Sequence, residues 1–215
     1  MKILVIAAHP DDEILGVGGT LLKHKEAGDK IYICMVTKAY MPEWTKKYIT
    51  KKVDEAKEVD RILGTKKRIC CDFPTVKLNT VPLGEFNKKI IEIIDQLNPD
   101  IIYTHFEHDA NQDHGIIFNA VMVAARPIKN KKIKVICFET ISSTEWGSKP
   151  FLPNYYVDIT EFIDKKIEAF SKYKSEVREY PHPRSKKGIK ILANKRGIEI
   201  CTEYAESFIV MKEYG

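Results

Sequence analysis

No stretch of this 215-residue chain approaches the roughly 20 consecutive apolar residues that a membrane span requires. The amino terminus carries one Lys and an apolar run too short for a secretory signal, cut off at once by His9 and the acids that follow. No two cysteines are spaced CxxC, which argues against a thiolate zinc site. The five cysteines are an odd number, and Cys34, Cys70, Cys71 and Cys137 lie in apolar, strand-like runs where the thiol serves as a small hydrophobe. A reducing, cytoplasmic setting is therefore expected. Charge of one sign is also scarce: 35 Lys and Arg stand against 30 Asp and Glu, for a net +5. The basic clusters at residues 129–132 and at Lys186-Lys187 lack interleaved aromatics, so no nucleic-acid partner is expected. Internal repeats and low-complexity tracts are missing too. What remains, 44% hydrophobic and 30% charged residues, is enough for a substantial core. Residues 1–215 are read as a single domain.

The glycines stop short of a dinucleotide fingerprint. Gly16 and Gly18 have the right spacing, but the third glycine position holds Leu21, and two aspartates just upstream would repel a pyrophosphate. Gly16, Gly18 and Gly19 are read instead as permitting close backbone packing beside a site.

Apolar runs and helical spacings alternate along the first two thirds of the chain. Ile3-Leu4-Val5-Ile6-Ala7-Ala8 reads as a buried parallel strand, and residues 31–36, 68–73, 101–105 and 133–138 as four more. Between them, helices are expected over 16–28, around Val53, Ala56, Val59 and Leu63, around Phe86, Ile90, Ile93 and Ile94, and from His114 onward. This alternation predicts an α/β fold, a mainly parallel sheet with helices on both faces. The last third reads as irregular: a long loop over 139–154, a helix with Thr160 as its N-cap, a break at Pro181-His182-Pro183, and a further helix.

Two polar clusters follow strand ends. His9-Pro10-Asp11-Asp12-Glu13 succeeds the first strand, and His105-Phe106-Glu107-His108-Asp109-Ala110-Asn111-Gln112-Asp113-His114 succeeds the fourth. In the common doubly wound order those strands are neighbours, so the clusters would meet in the crevice at their carboxyl ends. Acids at such positions also cap helices, but a His among them adds a metal-capable nitrogen. His9 and Asp12, with one His of the second cluster, would form a three-ligand set with an open fourth position, the arrangement of a catalytic zinc site. His105 ends an apolar strand and reads as a packed or hydrogen-bonded histidine, and His108 lies mid-loop. His114, at a helix start, best suits a fixed ligand, with Asp113 available to orient a partner. Asp11, beside a ligand, could take a proton from water. A magnesium phosphoesterase built on Asp11 and Asp12 is the rival reading, but two imidazoles favour zinc over an all-oxygen shell. A silent sugar-binding or nucleotide-binding module would need no base at Asp11.

Ala8-His9-Pro10-Asp11-Asp12-Glu13-Ile14-Leu15-Gly16 with Gly18-Gly19-Thr20 closely resembles the amino-terminal signature of the LmbE and PIG-L group of zinc-dependent N-deacetylases. Asn111-Gln112-Asp113-His114 resembles its second metal motif. Ser143-Thr144-Glu145-Trp146-Gly147, His182-Pro183-Arg184-Ser185 and Tyr204-Ala205-Glu206-Ser207-Phe208 resemble its later motifs. The resemblance implies an LmbE-like, three-layer Rossmann-like sandwich. It implies zinc on His9, Asp12 and His114, Asp11 as general base, Glu13 and Asp113 in support, and removal of acetate from an N-acetylated amino sugar by zinc-activated water. A deacetylase or amide hydrolase of a thiol-sugar conjugate is the alternative within the group. Two departures stand out. Asn111 occupies the place of a histidine that helps stabilise the oxyanion in many members, and Lys52 that of an arginine, so the bidentate clamp of arginine is lost. The missing acid is assigned to His182, which in some members comes from a neighbouring subunit, so a homo-oligomer is expected. Lys52, Trp146 and Arg184 are expected to face the substrate.

Overall fold

The computed structural model describes residues 1–128 and 132–215, so the basic cluster that starts at Lys129 falls largely outside the described residues. Seven strands form one sheet: β1 (Lys2–Ala7), β2 (Lys30–Lys38), β3 (Lys67–Pro74), β4 (Ile101–His105), β5 (Lys134–Phe138), β6 (Tyr155–Asp158) and β7 (Ala205–Lys212). Their order is β3-β2-β1-β4-β5-β7-β6. The first five run parallel, while β7 pairs antiparallel with both β5 and β6. The α/β class and the mainly parallel sheet are as expected.

The helices are α1 (Asp12–Glu26), α2 (Lys46–Leu63), α3 (Leu83–Leu97), α4 (Gln112–Ala124), α5 (Ile163–Phe170) and α6 (Lys186–Ile198). Because successive strand side chains point to opposite faces, β1 feeds two cores. Ile3, Val5 and Ala7 pack with residues of α1, α2, α5 and α6, whereas Leu4 and Ile6 pack with residues of α3 and α4. Three layers result. Among the described residues no helix is long and apolar enough to cross a membrane.

Three local expectations change. The first helix begins at Asp12, four positions before Gly16, because Asp11 turns the chain at φ 135° and its carbonyl accepts the N–H groups of Ile14 and Leu15. Thr160 does not cap a helix. Its N–H and hydroxyl both donate to Asp158 Oδ1, residues Thr160–Phe162 form a 3₁₀ turn, and α5 starts at Ile163. The irregular last third contains β6 and β7, and β7 is buried at Ala205–Phe208 because it lies inside the sheet, beside β5.

The glycines of α1 pack as expected. A Cβ on Gly16 would lie 2.1 Å from Phe138 Cδ2, and one on Gly19 2.8 Å from the Ile159 side chain. Gly16→Ala is therefore expected to cost about 1–3 kcal/mol, as overpacked cores do. A urea unfolding curve coincident with wild type would refute this.

A buried ion pair also holds α1. Lys166 of α5 donates to Glu206 Oε1 of β7 at 2.7 Å and to the Leu15 carbonyl at 2.9 Å, while Glu206 accepts the N–H groups of Gly19 and Thr20. The glutamate of the Tyr204–Phe208 motif thus anchors the helix whose first turn carries Asp12.

Candidate active site

Each polar cluster sits where a strand ends. β1 and β4 are hydrogen-bonded neighbours, so the loop after Ala7 and the loop after His105 meet at one edge of the sheet. One ligand atom each of His9, Asp12 and His114 lies within 4.8 Å of the other two, the one such group found among the described residues.

Every member of this trio is held by a carboxylate or by the backbone. Asp12 Oδ2 accepts the His9 N–H at 2.8 Å and lies 3.3 Å from His9 Nδ1 and 3.4 Å from His114 Nε2. His9 Nε2 faces Asp113 Oδ2 at 3.2 Å, and that oxygen also accepts the Val76 N–H at 2.7 Å. Asp113 thus orients a histidine, and that histidine is His9. His114 Nδ1 faces Asp109 Oδ1 at 3.1 Å, and Asp109 in turn accepts the hydroxyls of Thr144 and Ser143 and the Asn111 N–H. A carboxylate behind a histidine fixes the ring and raises its basicity, as it does behind metal ligands.

Charges in the cluster are perturbed by burial and by one another. Burial opposes protonation of His9, but the hydrogen bonds to Asp113 and Asp12 outweigh it and push the imidazole up to about 10. Burial likewise works against ionisation of Asp12, yet the adjacent His114 holds it well below the ordinary carboxylate range. Asp11 goes the other way: burial and the Asp12 charge raise it well above that range, against the pull of Arg184.

The donor set fits a cation with nitrogen and oxygen ligands. Neither ring nitrogen of the buried His114 is in a well-directed hydrogen bond. An imidazole enclosed in this way, facing a second imidazole and an ionised carboxylate, is a poor structural arrangement and a good ligand set. His105 does not belong to it. The ring is fully buried, Nε2 accepts the Ala8 N–H at 2.9 Å, and burial depresses its pKa well below the usual value, so it serves as a neutral, hydrogen-bonded histidine stacked 3.7 Å from the His114 ring. His108 lies away from the trio, with Nε2 3.6 Å from Glu107.

Asp11 is enclosed by residues far off in sequence. Arg184 Nη1 donates to Asp11 Oδ2 at 2.9 Å and to Glu176 Oε2 at 3.3 Å, while its Nε donates to Ser142 Oγ at 2.7 Å. Glu13 accepts the Asp11 N–H on Oε2, and its Oε1 accepts from Arg68 and from the Tyr173 hydroxyl. Lys52 reaches this network indirectly, through its hydrogen bond to Glu176, and lies over the rings of Tyr48 and Tyr173. Asn111 caps α4, its Oδ1 accepting the Asp113 N–H at 3.0 Å. The exposed His182 accepts the Arg184 N–H on Nδ1, and among the described residues no hydrogen bond or ion pair joins it to the trio. Trp146 is 80% exposed on the 3₁₀ turn Thr144–Trp146.

Sequence reasoning missed Asp109, Glu176, Arg68 and Tyr173. Asp109 sits in the quoted cluster five positions before His114, and its own signal was that spacing. The other three carry no local signal, since each reaches the site through a separate element.

The model of the family described as "PIG-L: GlcNAc-PI de-N-acetylase" matches residues 4–125. The chain is 31% identical over 179 residues to the uncharacterized deacetylase YaiS of Escherichia coli (strain K12), covering 80% of this chain and 90% of that protein. It is 27% identical over 191 residues to the diacetylchitobiose deacetylase of Thermococcus kodakarensis, covering 83% of this chain and 71% of the relative. Among solved structures, the conserved protein TT1542 of Thermus thermophilus superposes with a TM-score of 0.80 at 26% identity, covering 99% of this chain and 95% of that one. With its signature residues gathered at one strand-end crevice, the chain belongs to the PIG-L family of de-N-acetylases.

Proposed function

We propose that this protein is a zinc-dependent hydrolase that removes the N-acetyl group from an N-acetylglucosamine-type amino sugar in a glycan or glycoconjugate precursor, with residues 1–215 acting as one deacetylase domain. The observation that carries this reading is the convergence of His9, Asp12 and His114 with Asp11 on the adjoining turn. The name of the Thermococcus relative, a diacetylchitobiose deacetylase, supports the substrate class.

In this reading His9, Asp12 and His114 hold the metal. A bound zinc supplies Lewis acidity, bringing the pKa of a water to about 7 and polarising an acetamide carbonyl. Asp11 takes the proton of the attacking water, and Arg184 keeps its carboxylate aimed. Asn111, with Oδ1 committed to the α4 cap, offers its amide N–H groups to the developing oxyanion. His182 protonates the departing amine, and because its Nδ1 already accepts the Arg184 N–H, the proton must leave from Nε2. Among the described residues His182 is linked to the site only through Arg184 and makes no direct contact with the trio, so in this reading its imidazole serves the site of a neighbouring copy in a homo-oligomer. Arg184 and Trp146 face the sugar, and Lys52 acts on it through Glu176.

The test pairs the metal content of the purified protein with acetate release from a broad panel of N-acetylglucosamine compounds. Stoichiometric zinc with acetate release is expected; zinc without cleavage of any acetamide would remove the activity assigned here. Asp109→Ala should weaken zinc affinity roughly 10–100-fold, as loss of a carboxylate behind a ligating histidine does. Competition against a calibrated chelator reads this directly, and unchanged affinity would show that Asp109 does not orient His114.

A further inference from the structure

Of the five thiols, two touch. Cys34 Sγ of β2 lies 3.6 Å from Cys71 Sγ of β3, the one thiol–thiol contact among the described residues. Register explains the meeting. Cys34 pairs with Ile69, so Cys71, two positions further on, returns to the same face of the sheet. There Cys34 is fully buried in the core with Leu4, Ile6 and Val36, whereas Cys71 is partly open to solvent. The other three make no such contact: Cys137 is buried in β5, and Cys70 and Cys201 are exposed.

The two thiols are chemically unequal. With Cys34 as donor, their hydrogen bond holds the Cys71 thiol below its usual range against the effect of burial, and Lys89 adds a smaller pull. Cys34 is pushed well above that range. Since the thiolate is the nucleophile, the more accessible partner is also the more reactive one. A disulfide requires the sulfurs to close from 3.6 Å to roughly 2.0 Å. β3 can supply that movement, because as the edge strand it is bonded on one side only. It is also bulged: between the pairs Met35–Cys70 and Thr37–Phe73 it sets Cys71 and Asp72 against Val36 alone, with Asp72 at φ 58°.

Both strands run on to the trio. On β2, the Thr37 hydroxyl and N–H donate to the carbonyl of Ala8, the residue before His9, at 2.7 and 3.1 Å. Just past β3, the Val76 N–H donates to the same Asp113 oxygen that faces His9 Nε2. Drawing Cys71 toward Cys34 moves the strand that leads directly to Val76. The Asp113 carboxylate then loses part of its support, and with it the orientation of His9.

We propose that Cys34 and Cys71 form a site oxidised by hydroperoxides, and that their disulfide weakens metal binding through Val76 and Asp113, a coupling that rests on the metal reading of the trio. The Cys71 thiolate attacks a peroxide oxygen, the O–O bond breaks, and the departing alkoxide takes up the Cys71 proton to leave as an alcohol. Cys71 is then a sulfenic acid. The Cys34 sulfur attacks the Cys71 sulfur, the S–O bond breaks, and the Cys34 proton leaves with the hydroxide as water. The two thiols give up two electrons, and the peroxide receives them.

The probe is a limiting amount of hydrogen peroxide, followed by tryptic digestion without reduction. Peptide 31–38 should be joined to peptide 69–77 in wild type and in Cys70→Ser, within single chains on a non-reducing gel, and not in Cys71→Ser. Competition against a chelator should show zinc affinity about tenfold lower in the oxidised wild type and Cys70→Ser, the lower end of the loss when a group behind a ligating histidine is disturbed. Dithiothreitol should restore it, and Cys71→Ser should keep its affinity throughout. No cross-link, a cross-link that survives in Cys71→Ser or runs between chains, or a cross-linked protein with unchanged zinc affinity would overturn the proposal. If the reduced wild type binds no zinc, the metal reading has failed by itself, and hydrogen exchange at the Val76 amide decides. Faster exchange confined to the cross-linked protein supports the coupling to Asp113, and equal exchange overturns it.

Discussion

Asp11→Asn should lower acetate release about 10³-fold while zinc content stays at the wild-type level. The substitution preserves shape, and the amide oxygen can still accept from Arg184 Nη1, which now sits 2.9 Å from Asp11 Oδ2. The φ of 135° at this residue suits Asn no worse than Asp, since both tolerate positive φ better than other side chains. In the proposed reaction, what disappears is the basic oxygen that would take the water's proton. Proton transfer by a positioned group contributes typically 10²–10⁴-fold, so the loss should appear in kcat more than in KM. Metal analysis on the same sample separates loss of the base from loss of the ligand set. Full turnover by the variant would remove Asp11 from the chemistry.

Lys166→Met has the largest expected effect on stability. It leaves Glu206 buried and charged, with the N–H groups of Gly19 and Thr20 as its remaining hydrogen-bond donors among the described residues. Removing one partner of a buried pair costs about 3–5 kcal/mol, because the remaining charge is uncompensated. Adding Glu206→Gln should recover part of the loss, since the amide oxygen can still accept one backbone N–H and no charge remains. Urea unfolding of wild type, single and double variants forms the cycle that measures this. A single variant within about 1 kcal/mol of wild type would show that the enclosed glutamate is tolerated alone. The consequence reaches the site, because α1 carries Asp12 in its first turn and rests on this pair at its centre.

Much of the fold was legible because its signals are local. Four of the parallel strands read as apolar runs because both their faces are enclosed, the edge strand β3 packs only Ile69, Cys71 and Phe73 on one face, and Leu63 and Leu97 end helices beside residues in the left-handed region, Gly64 and Asn98. The carboxyl-terminal strands were not legible. Tyr155–Asp158 is only four residues long, and Ala205–Lys212 carries Glu206 and Ser207 in its buried half. Buried polar residues mask an apolar pattern, and their partners, Lys166 and Glu139, lie 40 and 68 residues away in sequence. The start of α1 was misread for a related reason: Asp12 and Glu13 look like loop residues, yet acids in the first turn complement the helix dipole.

Position along the chain brought His9, Asp12 and three candidate histidines to one crevice and favoured His114, and the family resemblance completed the candidate ligand trio. His9 and Asp12 follow one strand and His114 opens the helix after another, and strand-end position combined with doubly wound order brings such residues together without knowledge of any side-chain contact. How the trio is held, and what surrounds it, came from packing alone. Asp113 serves His9 and Asp109 serves His114, an exchange that spacing along one loop could not assign. Arg184 meets Asp11 across 173 residues of chain, and Lys52 enters only through Glu176. Local periodicity reports which face of an element is buried. Which charged groups share an enclosure depends on how elements distant in sequence pack, and burial then requires those charges to find one another.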